Sequence, residues 1–203
     1  HYTFDARLSR ISSDGFVDRA SSNLQSFYVS GAYLNDRSSL RFNIFSGKEK
    51  TYQAWYGVPE ELLQSNRTFN PAGTEKPGEP YDNETDNYQQ THYQLFFNHR
   101  FTSKLNFQAA LFYTRGKGCY EQYKAGEDYN SYGIEYPIIG QDTLFETDLV
   151  RQLWLDNHFF GQTFSLQYKD NKKEIIAGGG GSRYLGDHYG EIIWAQAGID
   201  KGY

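Results

Sequence analysis

The sequence predicts an all-β chain: an antiparallel up-and-down transmembrane β-barrel, of which about seven or eight strands are present. Three observations predict it. Runs of about ten residues alternate apolar and aromatic side chains with polar ones, which is the length and pattern of a tilted membrane strand. The links between these runs are by turns very short and very long. No apolar stretch approaches the ~18 residues of a transmembrane helix, so any membrane role must fall to strands.

The elements follow in order. Tyr2–Ile11 sets Tyr2, Phe4, Ala6 and Leu8 on one face against Thr3, Asp5, Arg7 and Ser9 on the other. A polar link, 12–23, contains the turn pair Asp14-Gly15. Gln25–Leu34 groups Phe27, Val29, Gly31 and Tyr33, and 35–38 turns it into a strand carrying Leu40, Phe42 and Ile44. The alternation then dissolves over 47–89, a stretch holding four of the five prolines. A loop of that length counts against a compact soluble domain but suits the outside of a barrel.

The clearest hairpin is 92–101 with 104–114. Tyr93, Leu95, Phe97 and Phe101 share one face of the first run, and Leu105, Phe107, Ala109, Leu111 and Tyr113 one face of the second. Only Thr102 and Ser103 separate them. After a second long link, 116–146, the run 149–169 places Phe160, Phe164, Leu166 and Tyr168 together, and 170–172 turns it into 174–184. A further apolar run begins at Ile192–Ala197. Long links at 12–23, 47–89 and 116–146 thus alternate with turns at 35–38, 102–103 and 170–172, which assigns them to opposite ends of one sheet. Phe27, Phe42, Leu95, Phe107, Phe164 and Leu166 should all point to one side. The whole of 1–203 reads as one partial barrel, an internal segment of a longer protein.

Composition agrees. Hydrophobic residues make up 38% of the 203, below a typical soluble domain, yet aromatics reach 18%, half of them Tyr. That combination suits a sheet with one greasy face, one wet face and polar loops. The net charge of −5 argues against nucleic-acid binding, which favours a basic stripe. Cys119 is the single cysteine, so neither an intrachain disulfide nor a CxxC metal site can form.

Motifs for chemistry are weak. Gly178-Gly179-Gly180-Gly181 lacks the GK[ST] and the helix that a phosphate loop requires, and reads as strand glycine. Gly116-Lys117-Gly118 reads as the start of a loop. The five histidines are scattered, and Asp187-His188 is better taken as a solvated turn than as a metal pair. No catalytic constellation, metal set or cofactor site emerges, so the chain is not read as an enzyme. Trp55, Tyr56, Arg67, Tyr81, Tyr88, Tyr120, Tyr123 and Tyr129 fall in the two longest links. Exposed aromatics and Arg favour recognition surfaces, which makes these eight the candidate ligand-binding residues.

Several segments resemble TonB-dependent outer-membrane receptors of the Bacteroidetes type. Ser13–Ser22 is similar to a loop between two barrel strands of that family. Lys50–Pro59 and Asn66–Asn70 resemble one of its long extracellular loops, and Glu84–Leu95 and Trp154–Gly161 are similar to further segments, all in colinear order. The resemblance implies a barrel of about 22 strands with an N-terminal plug inside it. It also implies import of a scarce nutrient (an iron chelate, haem, cobalamin or a glycan) across the outer membrane of a Gram-negative cell. Partners would be outer-membrane lipid, the TonB complex, the small-molecule or glycan substrate and a surface lipoprotein. The plug and the TonB box have no match in these residues. The alternative is a secreted or surface β-sheet ligand-binding module, with Tyr and Trp suited to glycans.

Overall fold

The structure, a computed structural model, describes residues 1–199. Seven strands make one antiparallel sheet whose spatial order follows the chain. They are β1 (Tyr2–Ser13), β2 (Ser22–Leu34), β3 (Ser38–Tyr52), β4 (Thr85–Arg100), β5 (Leu105–Asp128), β8 (Glu146–Lys169) and β9 (Glu174–Ala195). Between β5 and β8, β6 (Ile138–Ile139) and β7 (Asp142–Thr143) form a separate small ribbon. β1 and β9 are the two edges of the large sheet, which is not closed. Among the described residues no helix is long and apolar enough to cross a membrane.

The three short connections use one device. Asn35 Oδ1 accepts the backbone N–H of Arg37 and Ser38 at 2.9 and 2.7 Å. Thr102 Oγ1 accepts from Lys104 and Leu105 at 3.2 and 3.1 Å, and Asp170 Oδ1 from Lys172 and Lys173 at 2.8 and 3.0 Å. A short side chain thus occupies the amides that the end of each ladder leaves free.

Register divides the sheet cleanly. Because partners across an antiparallel pair share a face, each hydrogen-bonded row can be followed from strand to strand. Phe4, Gly31, Phe42, Leu95 and Leu111 form one such row, and Leu8 with Phe27 and Phe107 with Leu166 lie on the same side. All six side chains expected to point one way do so. The opposite face carries Asp5, Ser30, Asn43 and Gln94 in one row, with Phe112 and Gly161 continuing it. Among the described residues no second layer covers the apolar face across the middle of the strands. Phe4 is 73% exposed, Leu8 85% and Leu111 50%. The hydrophobic core lies instead at the long-loop end, where Tyr129, Ile134, Leu149, Ile192 and Ala195 cluster.

The strands run further than the sequence pattern indicates. β3 continues to Tyr52 and β5 to Asp128, so the links shrink to 14–21, 53–84 and 129–145. Past the apolar band, 47–51 of β3 and 114–118 of β5 are polar or glycine on both faces, and two-residue alternation disappears there while the ladder persists. Gly116-Lys117-Gly118 is therefore strand, not the start of a loop, and Ile192–Ala195 ends β9 rather than opening a new strand. Gly178–Gly181 also lies within β9.

Gly118 has a specific reason to be glycine. A Cβ there would meet the Asn87 carbonyl and sit 2.6 Å from Tyr88 Cα, whereas a Cβ on Gly31 meets nothing within 4 Å. Gly118→Val is expected to lower stability by about 1–3 kcal/mol through overpacking, and Gly31→Val to be tolerated. Denaturant midpoints of the two variants check this. Equal midpoints would contradict the close strand approach.

Candidate functional site

At the long-loop end, polar side chains tie three segments into one body. Arg19 is the one non-glycine residue with positive φ (62°) among the described residues, a conformation that costs about 1 kcal/mol or more unless its surroundings fix it. Its Nη2 donates to the carbonyls of Asn70 (2.6 Å) and Ala72 (2.9 Å), and its Nε to Tyr52 Oη (3.2 Å). The Tyr52 hydroxyl donates to the Tyr81 carbonyl at 2.5 Å. Asn70, 2% exposed, donates through Nδ2 to the carbonyls of Asp18 and Gln53 (both 2.9 Å) and accepts from Ala72 N–H. Gln53 Nε2 reaches the Glu121 carbonyl of β5 at 2.9 Å. The 14–21 link, the 53–84 link and the upper part of β5 are therefore joined through buried hydrogen bonds, which a loose loop would lack.

Glu121 is the hub on the strand side. One carboxylate oxygen accepts from Tyr81 Oη and Asn83 Nδ2, each at 2.6 Å, and the other from Gln152 Nε2 at 2.7 Å. Burial, reinforced by that hydrogen bond, holds the Tyr81 phenol well above its ordinary range. Glu84 is 6% exposed beside the backbone of Gly73 and Tyr123, and burial pushes its carboxyl up from 4.5, with Glu75 adding repulsion. A carboxyl raised in the folded state binds its proton more tightly there than in the unfolded chain. Stability from this group is therefore greatest at low pH and is lost as pH rises from 4.5 through the raised value. The 53–84 link is expected to gain hydrogen-exchange protection as pH falls toward 4.5, and Glu84→Gln to flatten that dependence. An unchanged profile in the variant would remove Glu84 as its cause.

The eight candidate binding residues separate in space. Trp55 (57% exposed), Tyr56 (63%) and Arg67 lie open on the 53–84 link. Tyr81 belongs to the buried network. Tyr88, Tyr120 and Tyr123 are strand residues of β4 and β5, not loop residues. Tyr88 covers Gly116 and Gly118, and Tyr123, 6% exposed, donates to Asp148. Tyr129 is the centre of the small core, 1% exposed. Trp55 meets Tyr120 edge to face, centroids 5.9 Å apart, so these two stand together where the polar face meets the loops.

Below them the polar face carries a feature the alternation does not announce. Arg7, Tyr28, Phe45, His92, Thr114, Phe159 and Tyr184 form one continuous hydrogen-bonded row across seven strands. Phe45 stacks on His92 with centroids 4.4 Å apart and packs against Tyr28 at 6.2 Å. An open hollow of about 870 Å³ is lined here by Arg7, Ser26, Tyr28, Phe45, Gln90 and His92. His92 is fixed by Thr114 Oγ1 (3.0 Å) and Gln90 Nε2 (3.0 Å). Flat aromatic faces beside amides, an imidazole and a guanidinium suit a ligand with both planar or ring surfaces and hydroxyl or carboxylate groups.

The chain matches no family model and no curated protein. The chemistry must therefore be read from the residues alone. Among the described residues no group of three or more His, Cys, Asp or Glu converges as a metal site. Asp187 and His188 are neighbours within β9, so they face opposite sides and cannot ligate one ion together; they form no turn. Arg19, Gln53 and Asn70 escape a sequence reading because single polar residues in irregular segments carry no periodic signal, and Glu121 because it lies on β5 past the alternating band.

Proposed function

We propose that this sheet is part of the wall of an outer-membrane β-barrel receptor of the TonB-dependent type, which imports a scarce nutrient. One observation carries the reading: a contiguous, exposed apolar band on one face of a single-layered sheet, with a polar face behind it. An apolar sheet face in water needs a second layer, and patches this large are rare on soluble monomers. A bilayer supplies that layer. The turns and long links then fall on opposite sides of the membrane, with the long links and Trp55, Tyr56, Arg67 and Tyr120 outside. The rigid loop body presents these groups above the polar lumen face, where the aromatic row and its hollow would receive the substrate. An iron chelate, haem, cobalamin and a glycan all fit that mixture of rings and polar groups. Energy coupling through TonB would reside in a plug and TonB box that these residues do not match.

The competing reading, a secreted or surface glycan-binding sheet, draws on the exposed Trp55 and Tyr56. It requires a protein layer over the apolar band. Extraction separates the two: the protein is expected to leave its membranes only in detergent, and release by salt or alkali alone would favour the surface module. Surface-applied protease should cut intact cells within 53–84 or 129–145 and spare 35–37, 101–104 and 170–173. Cutting confined to the turns would invert the orientation.

A further inference from the structure

The apolar face is not uniformly apolar along the strands. Past Leu8 and Phe27 the next hydrogen-bonded row reads Arg10, Gln25, Lys48 and Gln89, and one row further on β3 comes Lys50. Across β1 to β4 this face carries three cations at its loop end and no carboxylate anywhere. Elsewhere on the same side, Arg115 and Lys117 are both held by Asp156, at 2.5 and 3.1 Å, and Lys50 Nζ donates to Asn83 Oδ1 at 2.9 Å. Arg10 and Lys48 are exposed and have no ion-pair partner among the described residues. They flank Gln25 from the two adjacent strands, which sets their backbones about 10 Å apart.

Between them the surface dips. A shallow hollow of about 370 Å³ is lined by Leu8, Arg10, Gln25, Phe27, Ser46 and Lys48. Ser46 makes the dip: its short side chain, bound to Thr91 Oγ1 at 2.8 Å, stands in the same row as Leu8 and Phe27. The lower wall is therefore hydrocarbon and the upper wall is two free cations with amide donors.

We propose that this hollow binds the phosphate headgroup of a membrane lipid, with an acyl chain lying over Leu8 and Phe27. The inference rests on the lipid-facing assignment of the band. It adds a site where the barrel selects its own annulus. Arg10 and Lys48 would each donate to phosphate oxygens, Gln25 would complete the set, and the hydrocarbon below excludes the water that would otherwise screen the charges. A phosphomonoester, carrying close to two charges, matches two cations better than a zwitterionic headgroup does.

The test uses the detergent-extracted protein and native mass spectrometry, titrating phosphatidic acid against phosphatidylcholine, with inorganic phosphate in a separate arm. Phosphatidic acid is expected to be retained and phosphatidylcholine not. The double variant Arg10→Ala/Lys48→Ala should bind phosphatidic acid about thirtyfold more weakly, at about fivefold per cation. Arg41→Ala/Lys172→Ala, which removes the same charge from the polar face and a turn, should bind like the parent. Equal retention of both lipids, or equal binding by both double variants, overturns the site. Full competition by millimolar inorganic phosphate overturns the lipid and leaves an anion site. A protein that comes off membranes without detergent fails the underlying reading instead, before any lipid is counted.

Discussion

Leu95→Arg is expected to block assembly in the membrane, while Asn98→Arg, three residues along the same strand and on the other face, leaves it intact. Leu95 lies in the row of Phe42 and Leu111, in the centre of the exposed apolar band, and Asn98 pairs with Ser39 and Gln108 on the polar side. An arginine on the lipid face of a barrel strand costs about 2–4 kcal/mol at the midplane and falls toward zero at the interfaces, whereas the lumen is wet. Phe107→Arg, nearer the turn end, should therefore be impaired less than Leu95→Arg but more than its neighbour Asn106→Arg. The fraction of each variant that resists extraction and proteolysis in membranes measures this. Equal assembly of all four would end the assignment of faces.

Asn70→Ala is expected to release the loop body without unfolding the sheet. It strips partners from the Asp18 and Gln53 carbonyls and the Ala72 amide together, and each buried group left unpaired costs about 1–3 kcal/mol. Hydrogen exchange should rise across 53–84 and 14–21, and in the proposed receptor substrate uptake should fall because the link that carries Trp55 and Arg67 is no longer held. Protection in the middle of β3 and β4 should not change. Asn70→Asp separates a lost donor from lost volume: it keeps the acceptor for Ala72 but sets a carboxylate against two carbonyls, so it should be at least as damaging. Unaltered exchange in both variants would show that 53–84 is held by something else.

How much of this was legible in the sequence follows from where side chains alternate. Tyr2–Leu8, Phe27–Tyr33 and 92–114 disclose strand, face and partner, because the apolar and polar faces of the sheet differ so sharply that composition follows the pleat. Asn35, Thr102 and Asp170 disclose the turns for the same local reason. Beyond the band, Gly116-Lys117-Gly118 and Lys48–Tyr52 meet polar surroundings on both faces, so nothing periodic marks them as strand. The 53–84 link likewise carries no periodic signal, yet Asn70, Tyr81 and Gln53 make it part of the strand ends. Tyr88, Tyr123 and Tyr129 look like recognition residues by type, and their neighbours in space occupy them with packing.

The unequal strand lengths have a consequence for the side from which the proposed receptor would be approached. β1 and β2 are 12 and 13 residues long, but β5 and β8 each run 24 and β9 runs 22. At 3.3 Å per residue the difference between β1 and β8 is about 40 Å along the strand. By register Ser13 lies in the row of Leu153 and Tyr2 in the row of Phe164, so seven of the extra residues of β8, about 23 Å of strand, extend past β1 at the long-link rim and the other five at the turn end. The long-link edge of the sheet is therefore slanted, low at β1 and β2 and tall at β5, β8 and β9. In the proposed receptor, a solute arriving over the low side would meet the tall strands opposite, and a delivering partner would find its room on the low side.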